Sequence, residues 1–102
     1  PEHLFQKMVS KYAWLGPDII NRWLSSYGTL SFDILGDASA MSDLGVKFGH
    51  NLYQREVDYL CTEEWAKSTD DILWRRSKLG LKFSRAQRDS LANYIEQSFP
   101  AN

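Results

Sequence analysis

One cysteine, Cys61, stands in the whole sequence, which excludes an intrachain disulfide and any zinc site built from several thiolates. A lone thiol fits a reducing, cytoplasmic compartment. No apolar run approaches the ~18 residues of a membrane-spanning helix, and the first residues lack the basic-then-apolar order of a signal peptide. Neither sign of charge dominates: 12 Lys and Arg face 13 Asp and Glu, a formal net charge of -1, so the basic excess of a nucleic-acid binder is missing. The alternation of a β-sheet is absent throughout. Gly45 and Gly49 do not make the glycine-rich turn that cradles the phosphates of FAD or NAD. His3 and His50 lie far apart without ligand-spaced partners, and residues 33–43 lack the central Gly and terminal Glu of a calcium loop, so no metal site is expected. No nucleophile elbow is present, and no catalytic residue is assigned.

What is present is apolar surface. The sequence is 43% hydrophobic and 14% aromatic over 102 residues, enough for one core and one domain spanning residues 1–102. It opens on Pro1 and runs straight into a helical pattern, as a fragment of something longer would.

Apolar residues recur at helical spacing in four stretches. Leu4, Phe5, Met8, Val9 and Tyr12 form the first stripe, ending near Gly16-Pro17. Ile19, Ile20, Trp23, Leu24 and Tyr27 form the second, opened by Pro17 and Asp18 and closed at Gly28. Residues 29–49 read as turns and connecting loop, with Phe32, Ile34 and Leu35 able to form a short helix. Tyr53, Val57, Leu60, Cys61 and Glu64 share one face of a third long helix, with Trp65 at its end and Arg55, Glu56, Asp58 and Glu63 on its other faces. Ser68 and Asp71 have capping-box spacing and predict a fourth helix up to Gly80, where a left-handed glycine ends it. Ser84 and Gln87 repeat the box and open a last helix through Leu91, Tyr94, Ile95 and Phe99, stopped by Pro100. The expected fold is all-α, an orthogonal or irregular bundle of about five helices.

Charge order is the most unusual local feature. Residues 75–88 hold Arg75, Arg76, Lys78, Lys82, Arg85 and Arg88 with no acid among them, directly after Glu56, Asp58, Glu63, Glu64, Asp70 and Asp71. Asp71 and Arg75 are four apart, the spacing of a helical ion pair. Adjacent arginines point about 100° apart on a helix, so Arg75 or Arg76 is expected to form a buried ion pair with Glu63 or Glu64. Trp14, Trp23, Trp65 and Trp74 are read as packing residues. Glu63, Glu64, Trp65, Asp71, Trp74, Arg75, Arg76, Lys78 and Gly80 are the candidate structural and interface residues.

The run from Glu56 to Leu81, with Glu63, Glu64, Trp65 ahead of Asp70, Asp71 and then Trp74, Arg75, Arg76, Ser77, Lys78, Leu79, Gly80, resembles the C-terminal domain of aerobic, FAD-dependent glycerol-3-phosphate dehydrogenases and of alpha-glycerophosphate oxidase. Trp14-Leu15-Gly16-Pro17, Arg22-Trp23, Tyr27-Gly28-Thr29, Leu44-Gly45, Phe48-Gly49 and Leu52-Tyr53 extend the likeness over nearly the whole chain. The resemblance implies a parent flavoenzyme whose FAD-binding and substrate domains oxidise glycerol 3-phosphate to dihydroxyacetone phosphate and pass electrons to quinone. It implies FAD in the parent and none in this fragment, whose role is that of a structural or regulatory cap. The implied partners are the FAD and substrate domains of the same chain, with an anionic membrane surface or a regulatory protein met through a parent enzyme peripheral on the cytoplasmic face. No nucleic acid is expected; the rival reading is a free-standing nucleic-acid-binding or adaptor module using residues 75–88.

Overall fold

The computed structural model describes residues 2–100 and is a mostly helical bundle. Its α-helices are α1 (Glu2–Lys11), α2 (Pro17–Tyr27), α3 (Leu30–Leu35), α4 (Gln54–Glu63) and α5 (Arg85–Ser98). Most of the stripe residues expected from spacing are buried, Met8 and Tyr12 on α1, Ile19, Ile20, Trp23 and Tyr27 on α2, Val57 and Leu60 on α4, Leu91 and Ile95 on α5, whereas Val9 of the first stripe is exposed. Pro17 opens α2, and Gly28 closes it at φ 56, a left-handed conformation that costs glycine little. On α5 the full box forms: the Ser84 hydroxyl accepts from the Gln87 amide at 3.1 Å, and the Gln87 side chain accepts from the Ser84 amide at 2.9 Å.

Between α3 and α4 the chain is more ordered than a connecting loop. A 3-10 turn, Met41–Leu44, leads into an antiparallel hairpin of β1 (Lys47–Gly49) and β2 (Leu52–Tyr53), in register Lys47 with Tyr53 and Gly49 with Leu52. The expectation that no strand occurs is corrected here. Strands this short carry too few residues to show alternation, and tertiary packing holds them. Phe48 meets Tyr94 of α5 at 5.0 Å between ring centroids. Arg55 ties the loop down, its Nε and Nη2 donating to the last carbonyls of α3, Ile34 at 2.7 Å and Leu35 at 3.0 Å. A cation there also complements the negative end of the helix.

The outer-face placement of Glu56 is corrected by the structure. Glu56 is 0% exposed, not on an outer face of α4. One carboxylate oxygen accepts from Arg22 Nη2 at 2.7 Å and Trp23 Nε1 at 3.0 Å; the other accepts from Arg22 Nη1 at 2.8 Å and from the Tyr27 hydroxyl. Arg22 spends its remaining reach on Asn51 in the hairpin turn, Nε to the side-chain oxygen at 2.9 Å and Nη2 to the carbonyl at 3.1 Å. This two-pronged pair joins α2, the hairpin and α4. Burial alone would lower the Arg22 guanidinium, but the hydrogen bonds and charge of Glu56 raise it above its ordinary value. Burial, reinforced by the Glu56 charge, drives the Tyr27 phenol upward, so it stays a protonated donor.

Removing one partner of such a pair strands the other charge in the core, so Arg22→Met is expected to cost about 3–5 kcal/mol in denaturant unfolding. The double variant Arg22→Met/Glu56→Met recovers part of that loss, since Trp23 and Tyr27 then lose hydrogen bonds but no charge is stranded. A loss below about 1 kcal/mol for Arg22→Met would remove the pair from its central place.

Candidate functional site

The stretch after α4 departs from ordinary helix chemistry at several points. The Leu60 carbonyl accepts from the Glu64 amide at 3.2 Å and the Ala66 amide at 3.0 Å, and between these Trp65 takes φ 61. Helices commonly place a glycine at this position. A tryptophan in the left-handed region costs about 1–2 kcal/mol.

The fourth helix is not a regular α-helix reaching Gly80. It tightens its start as the spacing predicts, with the Ser68 hydroxyl accepting from the Asp71 amide at 3.1 Å. The Asp71 carboxylate, however, reaches one residue further back than a capping box, accepting from the Lys67 amide at 3.0 Å. That amide, helped by Ser68, lowers the Asp71 carboxyl below its ordinary value. Residues Asp71–Arg76 then run as a π-helix, shown by the Ser77 amide donating to the Ile72 carbonyl at 2.8 Å. Wide turns of this kind are rare and recur at functional positions.

The left-handed residue that ends this element is Lys78, at φ 61, not Gly80. Gly80 has another reason to be glycine. It opens a 3-10 turn, Gly80–Lys82, and the Trp74 ring lies on it, so that an added Cβ would stand 2.4 Å from the indole carbons.

Two of the four tryptophans are not core. Trp23 is fully buried and Trp14 half-buried, but Trp65 is 78% exposed and Trp74 50% exposed, and Leu81 is 91% exposed. The packing assignment of Trp65 and Trp74 is therefore corrected. Both sit on short segments whose inward positions are taken by Ala66, Ile72, Leu73 and Leu79, leaving the indoles outside.

The expected ion pair exists between Arg76 and Glu64, but both side chains are partly exposed. It links the end of α4 to the π-helix; the buried pair of the fold is Arg22 with Glu56. Arg76 Nε is buried without a partner. Arg75 meets Asp71 at 3.9 Å with a largely exposed side chain, a pair worth little in water. Glu63 is exposed at the end of α4. Trp65 divides two grooves: one of about 380 Å³ walled by Glu64, Ala66, Asp71, Arg75 and Arg76, and one of about 680 Å³ walled by Cys61, Lys67, Ile95 and Phe99.

The Cys61 thiol is pushed up to about 11 by burial and by Asp58 and Asp71, so it is no thiolate at neutral pH. Neither Gly45 nor Gly49 offers room for a phosphate. The Gln54 side chain fills the space over Gly45, 2.7 Å from an added Cβ, and Phe83 and Gln87 fill that over Gly49 at 3.0 Å. Neither glycine therefore forms a phosphate cradle. Among the described residues no group of three or more His, Cys, Asp or Glu stands together.

The model of the family described as the C-terminal domain of alpha-glycerophosphate oxidase matches residues 2–97. This chain belongs to that family. A glycerol-3-phosphate dehydrogenase of Pseudomonas aeruginosa is 44% identical over 99 residues, 97% of this chain and 19% of its own length. An aerobic glycerol-3-phosphate dehydrogenase of Escherichia coli is 35% identical, over 83% of this chain and 17% of its own. A D-erythritol 1-phosphate dehydrogenase of Brucella abortus is 31% identical, over 85% of this chain and 17% of its own. The chain thus spans less than a fifth of these relatives. Glu56 and Trp23 are buried and Arg22 is nearly so, and for Glu56 the spacing already held a clue. Glu56 follows Tyr53 by three and precedes Leu60 by four, which sets it on the apolar stripe of α4.

Gly80→Ala is expected to overpack the indole of Trp74, cost about 1–3 kcal/mol and red-shift the tryptophan emission as the ring swings into water. The shift should vanish in a Trp74→Phe background; if it persists, the Trp74–Gly80 contact is not its source. Stability should also fall as pH rises from 9 to 11. The unfolded thiol ionises near 9.0 and the folded one at about 11, so the contribution is whole below the first value and lost through the second. Urea midpoints across that range should fall less for Cys61→Ala than for the parent sequence, while the Tyr27 contribution remains in both.

Proposed function

We propose that this chain is the C-terminal helical cap of an FAD-dependent sn-glycerol-3-phosphate dehydrogenase, a structural and regulatory domain without a catalytic site of its own. The parent enzyme oxidises glycerol 3-phosphate to dihydroxyacetone phosphate and passes the electrons to quinone. The family match over residues 2–97 carries the reading, together with relatives that bear the name glycerol-3-phosphate dehydrogenase at 35–45% identity. The erythritol phosphate relative is more distant at 31%, which favours the three-carbon substrate.

The physical character of the domain supports a cap. Its interior is committed to an ion pair, Arg22 with Glu56, and the spaces over Gly45, Gly49 and Gly80 are filled by its own side chains. In this reading FAD and substrate are held by the other domains of the same polypeptide, and this one limits how those domains move. Localisation follows the parent, an enzyme peripheral on the cytoplasmic face of the membrane; no helix among the described residues is long and apolar enough to cross one.

Flavin absorbance and reduction of a quinone analogue, measured for the isolated chain and for the full-length gene product, test the proposal. Bound flavin and turnover of glycerol 3-phosphate, faster than of erythritol phosphate, are expected in the full-length protein alone. Either signal in the isolated chain would overturn the cap assignment, and a full-length protein inert toward glycerol 3-phosphate would overturn the activity.

A further inference from the structure

Several features of residues 64–85 are unfavourable for an isolated chain, and they gather around the π-helix and the turn that follows it. Trp65 and Lys78 hold left-handed backbone without being glycine, one on each side of the π-helix. Trp65, Trp74 and Leu81 leave large apolar side chains in water. Trp65 and Arg75 wall the same groove, Arg75 adjoins Trp74 in the chain, and the Trp74 ring lies on Gly80, whose neighbour is Leu81. Lys78, Lys82 and Arg85 are exposed, and among the described residues they form no salt bridge with a carboxylate. Backbone strain, exposed apolar area and unmatched charge of one sign coincide where a surface is built to be covered.

We propose that the face made by Trp65, Trp74, Arg75, Lys78 and Leu81 is a seat for another part of the same parent polypeptide, one that offers an apolar surface bordered by carboxylates. The inference rests on the cap reading and adds which face is used and what chemistry covers it. The relatives supply the occupant, because this chain matches 19% of the Pseudomonas aeruginosa dehydrogenase and leaves most of such a polypeptide outside the match. Charge selects its chemistry: Lys78, Lys82 and Arg85 call for acids, and the indoles and Leu81 for a dry contact between them. A second copy of this chain fits less well, since a two-fold contact would bring the same three cations face to face. An anionic membrane fits less well too. Arg75, Arg76 and Arg88 are already engaged by Asp71, by Glu64 and by the Phe83 carbonyl, which leaves three of the six cations in residues 75–88, on a chain of net charge -1.

The test places a photoreactive benzoylphenylalanine at position 65 or 81 of the full-length enzyme, with position 93 on α5, also exposed, as the control. Cross-links from 65 and 81 to peptides of the same polypeptide outside these 102 residues, and none from 93, are expected. Cross-links between isotopically heavy and light copies, cross-links to lipid, or no cross-link at all would overturn the seat. Lys82→Glu should lower the yield from position 81 about threefold or more by placing an acid against acids; an unchanged yield overturns the carboxylate border. Turnover by unmodified enzyme keeps the two readings apart. Activity without these cross-links sinks the seat alone, and cross-links in an enzyme inert toward glycerol 3-phosphate sink the activity and leave the seat.

Discussion

A carboxylate with no access to water has to be answered in full, and Glu56 is where this fold answers it. Its two oxygens take donors from Arg22, Trp23 and Tyr27, so three side chains of one helix converge on a single residue of another. Asn51 holds the far side of the guanidinium and draws the hairpin turn into the same centre. Apolar burial is non-directional and would accept several arrangements of α2 against α4. A charged pair with fixed geometry accepts few, because any slip leaves a buried charge short of donors. The hairpin between the two helices, and α5 packed on it through Phe48 and Tyr94, take their places from that alignment.

Beyond α4 the logic reverses. Helix α2 obeys local rules: glycine at the left-handed position after it, proline at its start, and its apolar stripe turned inward. From Glu64 to Lys82 those rules are broken repeatedly, with a tryptophan where glycine belongs, a π-helix in place of an α-helix, and indoles facing water. Natural sequences satisfy local preferences nearly everywhere, and violations gather where function outweighs stability. The contrast with α2 and α5 marks Glu64–Lys82 as the stretch that the proposed seat occupies.

The helices were legible where spacing and punctuation agreed. Stripes such as Ile19, Ile20, Trp23 and Tyr27, and boxes such as Ser84 with Gln87, are local signals that need no knowledge of the neighbours. The hairpin was not legible, because five strand residues are too few for a pattern and their order comes from α5 and from Gln54. Among the candidate interface residues, Glu64 with Arg76 could be named as a pair from charge and distance along the chain. The exposure of Trp65 and Trp74 could not, since an aromatic residue at helical spacing looks the same whether its face is covered or bare.

By itself the sequence determined the mostly helical class, the ends of α2 and α5, and the family, because each of these is written in residues close together along the chain. The tertiary structure alone decided which acid is buried, which residue turns left-handed, and which tryptophans face outward. Those outcomes depend on what stands opposite each side chain, as Arg22 stands opposite Glu56 across 34 positions. Spacing can say that two residues share a face, but only packing says what that face meets.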